Sequence, residues 1–173
     1  MPVMMANSRR DIEIHRYPAI LYLLAPFLAL LLQALLPRWM GRFAYFDLPL
    51  IVTIYFALSR RSPIQGMFLG ALVGIFQDAL THHAIGINGI AKTVAGYLAA
   101  SVGIRIDVQN TVIRVLLNFA LTLLCGGIYL VIYRGLLGIN MEWSWLNMIL
   151  QAVGNSVLAL IFFPLLDRFQ LQD

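Results

Sequence analysis

Asp78 and Lys92 are charged side chains that stand within long apolar stretches of the sequence. Ionisable residues in such surroundings often belong to proton or substrate relays. A relay needs several titratable groups in series, and these stretches supply few of them. We therefore predict a structural role, in which Asp78 pairs with Lys92 across the turn between two helices or accepts hydrogen bonds from the backbone amides of that turn.

Gly66, Gly70 and Gly74 precede Asp78 at four-residue intervals, which places all four residues on one stripe of a helix. Glycines in such a stripe remove the side chains that would hold a neighbouring helix away. We predict close packing against another helix of the same chain. A seam between two copies of the chain stays open as the alternative.

Gln151 and Asn155 share one face of the last apolar stretch with Ala159. Polar residues in lipid usually face protein, so we predict inward packing, with a partner helix or a small cavity as the alternative.

His82 and His83 are adjacent and have no third ligand at metal-binding spacing. We predict a solvated turn there and no zinc site.

Enzyme motifs are not found in the sequence. It contains no G-x-S-x-G elbow, no H-E-x-x-H, no G-x-x-x-x-G-K-[ST] and no dense cluster of carboxylates. We predict that the protein is not an enzyme and uses no cofactor. A lipid-modifying enzyme is the least favoured alternative, with Asp78, His82 and His83 as its candidate residues.

The composition indicates that lipid is the solvent for most of the chain. Hydrophobic residues make up 61% of the 173 residues, and the mean hydropathy is +0.83, far above the range of water-soluble domains. The 12 basic residues mostly flank apolar runs and form no patch interleaved with aromatic residues. Nucleic acid is therefore excluded as a partner.

Six apolar stretches approach the roughly 20 residues that a transmembrane helix needs. They predict an all-α membrane protein with a single bundle of six transmembrane helices. The second stretch is short and holds Asp47 and Pro49 near its start, so a re-entrant segment is its alternative reading. The stretches are residues 18–36, 43–58, 64–80, 85–104, 112–137 and 146–166.

The distribution of arginines predicts the orientation, because cytoplasmic loops are enriched in basic residues. We predict a cytoplasmic tail at residues 1–17, a transmembrane domain at 18–167 and a second cytoplasmic tail at 168–173. This topology leaves Arg38, Arg42 and Arg134 outside. It places these arginines inside: Arg9, Arg10, Arg16, Arg60, Arg61, Arg105, Arg114 and Arg168.

Residues 70–100 read GALVGIFQDALTHHAIGINGIAKTVAGYLAA, which resembles the most recognisable stretch of the rod shape-determining protein MreD family. The matching features are Gly74 four residues before Asp78, the apolar residue and glycine at Ile85 and Gly86, and the aromatic-leucine-alanine sequence at Tyr97. Two features depart from the family pattern: Lys92, and the His82 and His83 pair.

The resemblance implies a non-catalytic subunit of the bacterial cell-elongation, or rod, complex in the inner membrane. It implies binding to MreC, a single-span protein with a large periplasmic part, and work alongside MreB, RodA and a class B penicillin-binding protein. Lateral peptidoglycan synthesis and cell shape are the implied process. From the residue patterns and the resemblance together we predict a helix-packing or partner surface that includes Gly66, Gly70, Gly74, Asp78, Gly86, Lys92, Tyr97, Gln151 and Asn155.

The MreD family is also similar in fold to the substrate-binding subunits of energy-coupling-factor vitamin transporters. The alternative function is therefore a transport receptor for a vitamin. The outer loop with Asn140, Glu142, Trp143 and Trp145 could supply part of its binding pocket.

Overall fold

A computed structural model describes residues 18–39, 41, 45–81, 84–106, 110–139 and 144–169. Over these residues the chain folds into six α-helices without strands, so the all-α prediction is confirmed. A π-helical turn, Ile132–Leu136, extends the fifth helix. The helices are α1 (Ala19–Trp39), α2 (Leu48–Arg60), α3 (Pro63–Thr81), α4 (Ile87–Arg105), α5 (Thr111–Val131) and α6 (Trp145–Asp167).

The short helix α2 is the centre of the bundle. Every residue from Leu48 to Ser59 is buried, and α2 contacts each of the other five helices. A helix that is apolar all round is stable only when protein or lipid surrounds it completely. Its start is fixed by Asp47, whose carboxylate accepts a hydrogen bond from the Leu50 amide at 3.1 Å. The helix therefore begins at Leu48 and not at residue 43.

Among the residues that the structure describes, four helical segments are long and apolar enough to cross a membrane: Ile20–Pro37, Pro63–Thr81, Thr111–Leu136 and Trp145–Asp167. The other two helices differ from them in length or polarity. The 13 residues of α2 extend for about 20 Å, less than the roughly 30 Å of a hydrocarbon core. Asn88 and Lys92 make α4 more polar. Six complete spans therefore remain a prediction.

Helices α3 and α4 form the most extensive contact of the bundle, and small residues make it possible. A Cβ atom added to Gly70 would overlap the Lys92 carbonyl, and one added to Gly74 would overlap the Asn88 carbonyl. A Cβ atom added to Gly66 would likewise overlap the Gly96 carbonyl. The glycine stripe is thus covered by α4 of the same chain, so a second copy cannot reach it without displacing α4.

The opposite side of α4 also consists of small residues. Ala91, Ala95 and Ala99 are fully buried in the apolar core that includes α2, and Gly103 lies against the Leu58 carbonyl. Because α4 presents glycine on one side and alanine on the other, it fits between α2 and α3. This sandwich brings the polar residues of α4 into the middle of the bundle.

The contact between α3 and α4 predicts different outcomes for one substitution at two glycines. Gly70→Ala should lose about 2 kcal/mol or more of stability, because the methyl group overlaps backbone that cannot rotate away. Gly127→Ala in α5 meets nothing within 4 Å and should be neutral or stabilising by up to about 1 kcal/mol, the difference in helix propensity. Thermal unfolding of both purified variants in one mild detergent measures this. Equal shifts would contradict the packing.

Candidate functional site: a buried polar cluster

Lys92 forms an ion pair with Asp47 at the centre of the bundle. The Lys92 ammonium lies 2.6 Å from Asp47 Oδ2, and the lysine side chain has no solvent exposure. Asp47 Oδ1 also accepts a weaker hydrogen bond from the side-chain amide of Gln77, whose Nε2 atom lies 3.4 Å away. The pair joins the start of α2 to the second turn of α4, two helices that are not adjacent in sequence.

The predicted pairing of Lys92 with Asp78 is wrong. Asp78 Oδ2 accepts hydrogen bonds from the Gly86 amide at 2.8 Å and the Asn88 amide at 3.1 Å. Asp78 lies at the end of α3, opposite the first turn of α4, where free backbone N–H groups satisfy its charge. Lys92 lies one helical turn after Asn88 on α4, and its side chain extends to Asp47 at the start of α2. The alternative that the turn amides bind Asp78 is thus the arrangement found.

Asn88 bridges the two carboxylate sites. Its Nδ2 atom donates to Asp78 Oδ1 at 2.6 Å, while its Oδ1 atom accepts from the Lys92 ammonium at 3.0 Å. The Tyr129 hydroxyl of α5 donates to the same Oδ1 atom. One amide therefore connects α3, α4 and α5.

The first and last helices also reach Asp47 and its neighbours. Gln33 of α1 donates to the Phe46 carbonyl at 2.8 Å and accepts from the Leu48 amide at 3.1 Å. On α6, Asn155 Oδ1 accepts from the Asp47 amide at 3.0 Å, and its Nδ2 donates to Thr122 Oγ1 at 3.4 Å. We call this set the polar cluster: Gln33, Asp47, Gln77, Asp78, Asn88, Lys92, Thr122, Tyr129 and Asn155.

The electrostatics of the polar cluster depend on helix ends as well as on side chains. Asp47 and Asp78 are two carboxylates against the single ammonium of Lys92. Asp47 caps the N-terminus of α2, and Asp78 binds amides at the N-terminus of α4. Each helix N-terminus carries about half a positive elementary charge. The two N-termini therefore offset the negative charge that Lys92 leaves unbalanced.

Lys92 and Asp47 neutralise each other, and Asp78 accepts hydrogen bonds from the backbone amides of Gly86 and Asn88 and from the Asn88 side chain. Among the described residues no three His, Cys, Asp or Glu side chains are grouped as metal ligands would be. Cys125 is buried beside the cluster, with its thiol 3.6 Å from the Ala91 carbonyl. What this arrangement does is hold six helices in register.

A second polar contact lies at the other end of α2. Arg114 Nη1 of α5 lies 2.7 Å from Asp167 Oδ2 of α6, and the Tyr55 hydroxyl donates to Asp167 Oδ1 at 2.7 Å. Between this contact and the polar cluster lies Asn118, which is fully buried. Within the described ranges, neither amide atom of Asn118 has a hydrogen-bond partner, and Gln77 Oε1 has none either.

The predicted site residues have different surroundings in the structure. Asp78, Lys92 and Asn155 belong to the polar cluster, and Gly66, Gly70 and Gly74 face α4. Gly86 forms the turn before α4 with φ of 103°, a conformation that favours glycine. Tyr97 is exposed on α4, and Gln151 is half-buried on α6. His82 and His83 lie outside the described residues, as do Asn140, Glu142 and Trp143.

Sequence reasoning assigned no site role to Gln33, Asp47 or Tyr129. A signal for Asp47 exists, since an aspartate followed two residues later by proline is a typical start of a helix. Gln33 and Tyr129 stand within apolar runs, where no local pattern separates them from residues that face lipid. Their roles follow from tertiary contacts alone.

Asn88 and Asn118 allow a matched test of the polar cluster, because both are buried asparagines. Asn88→Ala leaves Asp78, Lys92 and Tyr129 each short of one hydrogen bond and should destabilise the protein by about 3 kcal/mol or more. Asn118→Ala removes an amide without a described partner and should change stability by no more than about 1 kcal/mol. Thermal unfolding in detergent measures both variants. A larger loss for Asn118→Ala would contradict the assigned network.

The chain was compared with known protein families, curated proteins and solved structures. The family model for the rod shape-determining protein MreD matches residues 15–169, a range that includes all six helices. No curated protein and no solved structure matches the chain.

Proposed function

Because the chain belongs to the rod shape-determining protein MreD family, we propose that it is a non-catalytic inner-membrane subunit of the bacterial cell-elongation complex. Membership of this family gives the chain a role in determining rod shape. The four long apolar helices of the described residues indicate that the chain is a membrane protein. In this proposal the subunit binds MreC and supports lateral peptidoglycan synthesis. RodA, a class B penicillin-binding protein and MreB are its further partners.

The observation that carries the proposal is the family match over nearly the whole chain. The interior supports a scaffold, because the ion pair and the hydrogen bonds of the polar cluster join neighbouring helices to one another. The stripe of Gly66, Gly70 and Gly74 is covered by α4. A partner helix would therefore bind to outward-facing apolar side chains and not to the predicted glycine stripe.

We further propose that all six helices cross the inner membrane and that both termini are cytoplasmic. The short helix α2 suits a span of this kind, because its buried backbone and side chains need no lipid contact. Arg60 and Arg61 then lie on the same side of the membrane as Arg105, Arg114 and Arg168, in agreement with the enrichment of basic residues in cytoplasmic loops.

Affinity purification of the tagged protein from its native membrane in mild detergent tests the proposed function. Mass spectrometry should identify a single-span protein with a large periplasmic part, together with enzymes of peptidoglycan synthesis. An unrelated membrane protein with the same tag and expression level is the control. Recovery of two ATPases and a long-helix coupling subunit would contradict the proposal and identify a vitamin receptor instead.

A further inference from the structure

Helices α1 and α6 both pack against α2 but leave a groove between them. The groove has a volume of about 280 Å³ and no polar atom at its surface. Leu48, Ile51 and Val52 of α2 form its floor. Leu24 of α1 and Leu165 of α6 stand on its opposite walls, and both are exposed.

The side chains that line the groove favour a lipid acyl chain over a helix. Tight helix interfaces in membranes use small residues that let backbones approach, whereas the walls here are mostly leucine and phenylalanine. A flexible acyl chain can fill a narrow channel between such side chains.

One end of the groove carries positive charge. The Arg60 guanidinium lies 4.2 Å from the centre of the Tyr22 ring, and Tyr22 follows Leu21, which lines the groove. At the end of α6, the exposed Arg168 precedes Phe169, another lining residue.

Both arginines belong to the same end of the bundle. The hydrogen bond from Tyr55 to Asp167 places the second half of α2 beside the end of α6, and Arg60 is exposed like Arg168. Basic residues beside an apolar membrane surface attract anionic headgroups.

We propose that this groove is a binding site for an anionic phospholipid, with one acyl chain between α1 and α6 and the phosphate between Arg60 and Arg168. The apolar walls and the two arginines of the site can be tested separately. The walls determine whether a chain enters, and the arginines determine which headgroup is preferred. Nothing in this site depends on the proposed partners of the protein.

Native mass spectrometry of the purified, delipidated full-length protein tests the site, with phosphatidylglycerol or phosphatidylcholine added in detergent. Wild type should retain one phosphatidylglycerol in preference to phosphatidylcholine. Arg60→Gln with Arg168→Gln should weaken phosphatidylglycerol binding about 30-fold and phosphatidylcholine binding much less, because the choline ammonium already offsets the charge of its phosphate. Arg105→Gln, which removes an exposed arginine outside the groove, is the control and should bind like wild type.

Ala25→Leu tests the walls, because Ala25 lines the groove and a larger side chain would fill it. It should weaken binding of both lipids about tenfold or more, whereas Ala120→Leu on the exposed face of α5 should not. Equal binding by Ala25→Leu and Ala120→Leu would overturn the site, as would equal affinity of wild type for the two lipids. Unchanged lipid binding combined with loss of a copurifying single-span protein from Ala25→Leu would assign the groove to that partner's helix and overturn the proposal.

Discussion

A lysine that is completely shielded from solvent must be neutralised inside the bundle, and in this chain the neutralising group is Asp47. An unpaired charge at mid-membrane costs roughly 2.5 to 3.5 kcal/mol on the scale of helix insertion. The pair therefore fixes the start of α2 against the second turn of α4. Asn88 extends the constraint to α3 and α5, and Asn155 extends it to α6.

The central position of α2 follows from the same constraint. A helix of 13 residues is too short to cross the hydrocarbon core reliably by itself, yet every residue from Leu48 to Ser59 is covered by other helices. The polar cluster holds its beginning, and the contact between Tyr55 and Asp167 holds its second half. Small residues on both sides of α4 then let α3 and α2 approach the backbone of α4 closely.

The sequence predicted the helical class, because apolar runs of this length have few other structures available in lipid. The four-residue spacing of Gly66, Gly70 and Gly74 also located a small-residue surface, since helical periodicity needs no tertiary information. The partner of Lys92 could not be predicted. Proximity in sequence favoured Asp78, but free amides of the turn satisfy that carboxylate and leave Lys92 for Asp47, 45 residues away. A pair of residues this far apart in the sequence depends on which helices become neighbours in the folded bundle.

A double-mutant cycle on Asp47 and Lys92 tests the central claim most directly. Lys92→Met and Asp47→Asn should each destabilise the purified protein by about 3 to 5 kcal/mol, because each leaves a buried group without its partner. The double variant should recover a large part of the summed loss, and combining Lys92→Met with Asp78→Asn should recover much less. Stronger coupling of Lys92 to Asp78 than to Asp47 would contradict the account.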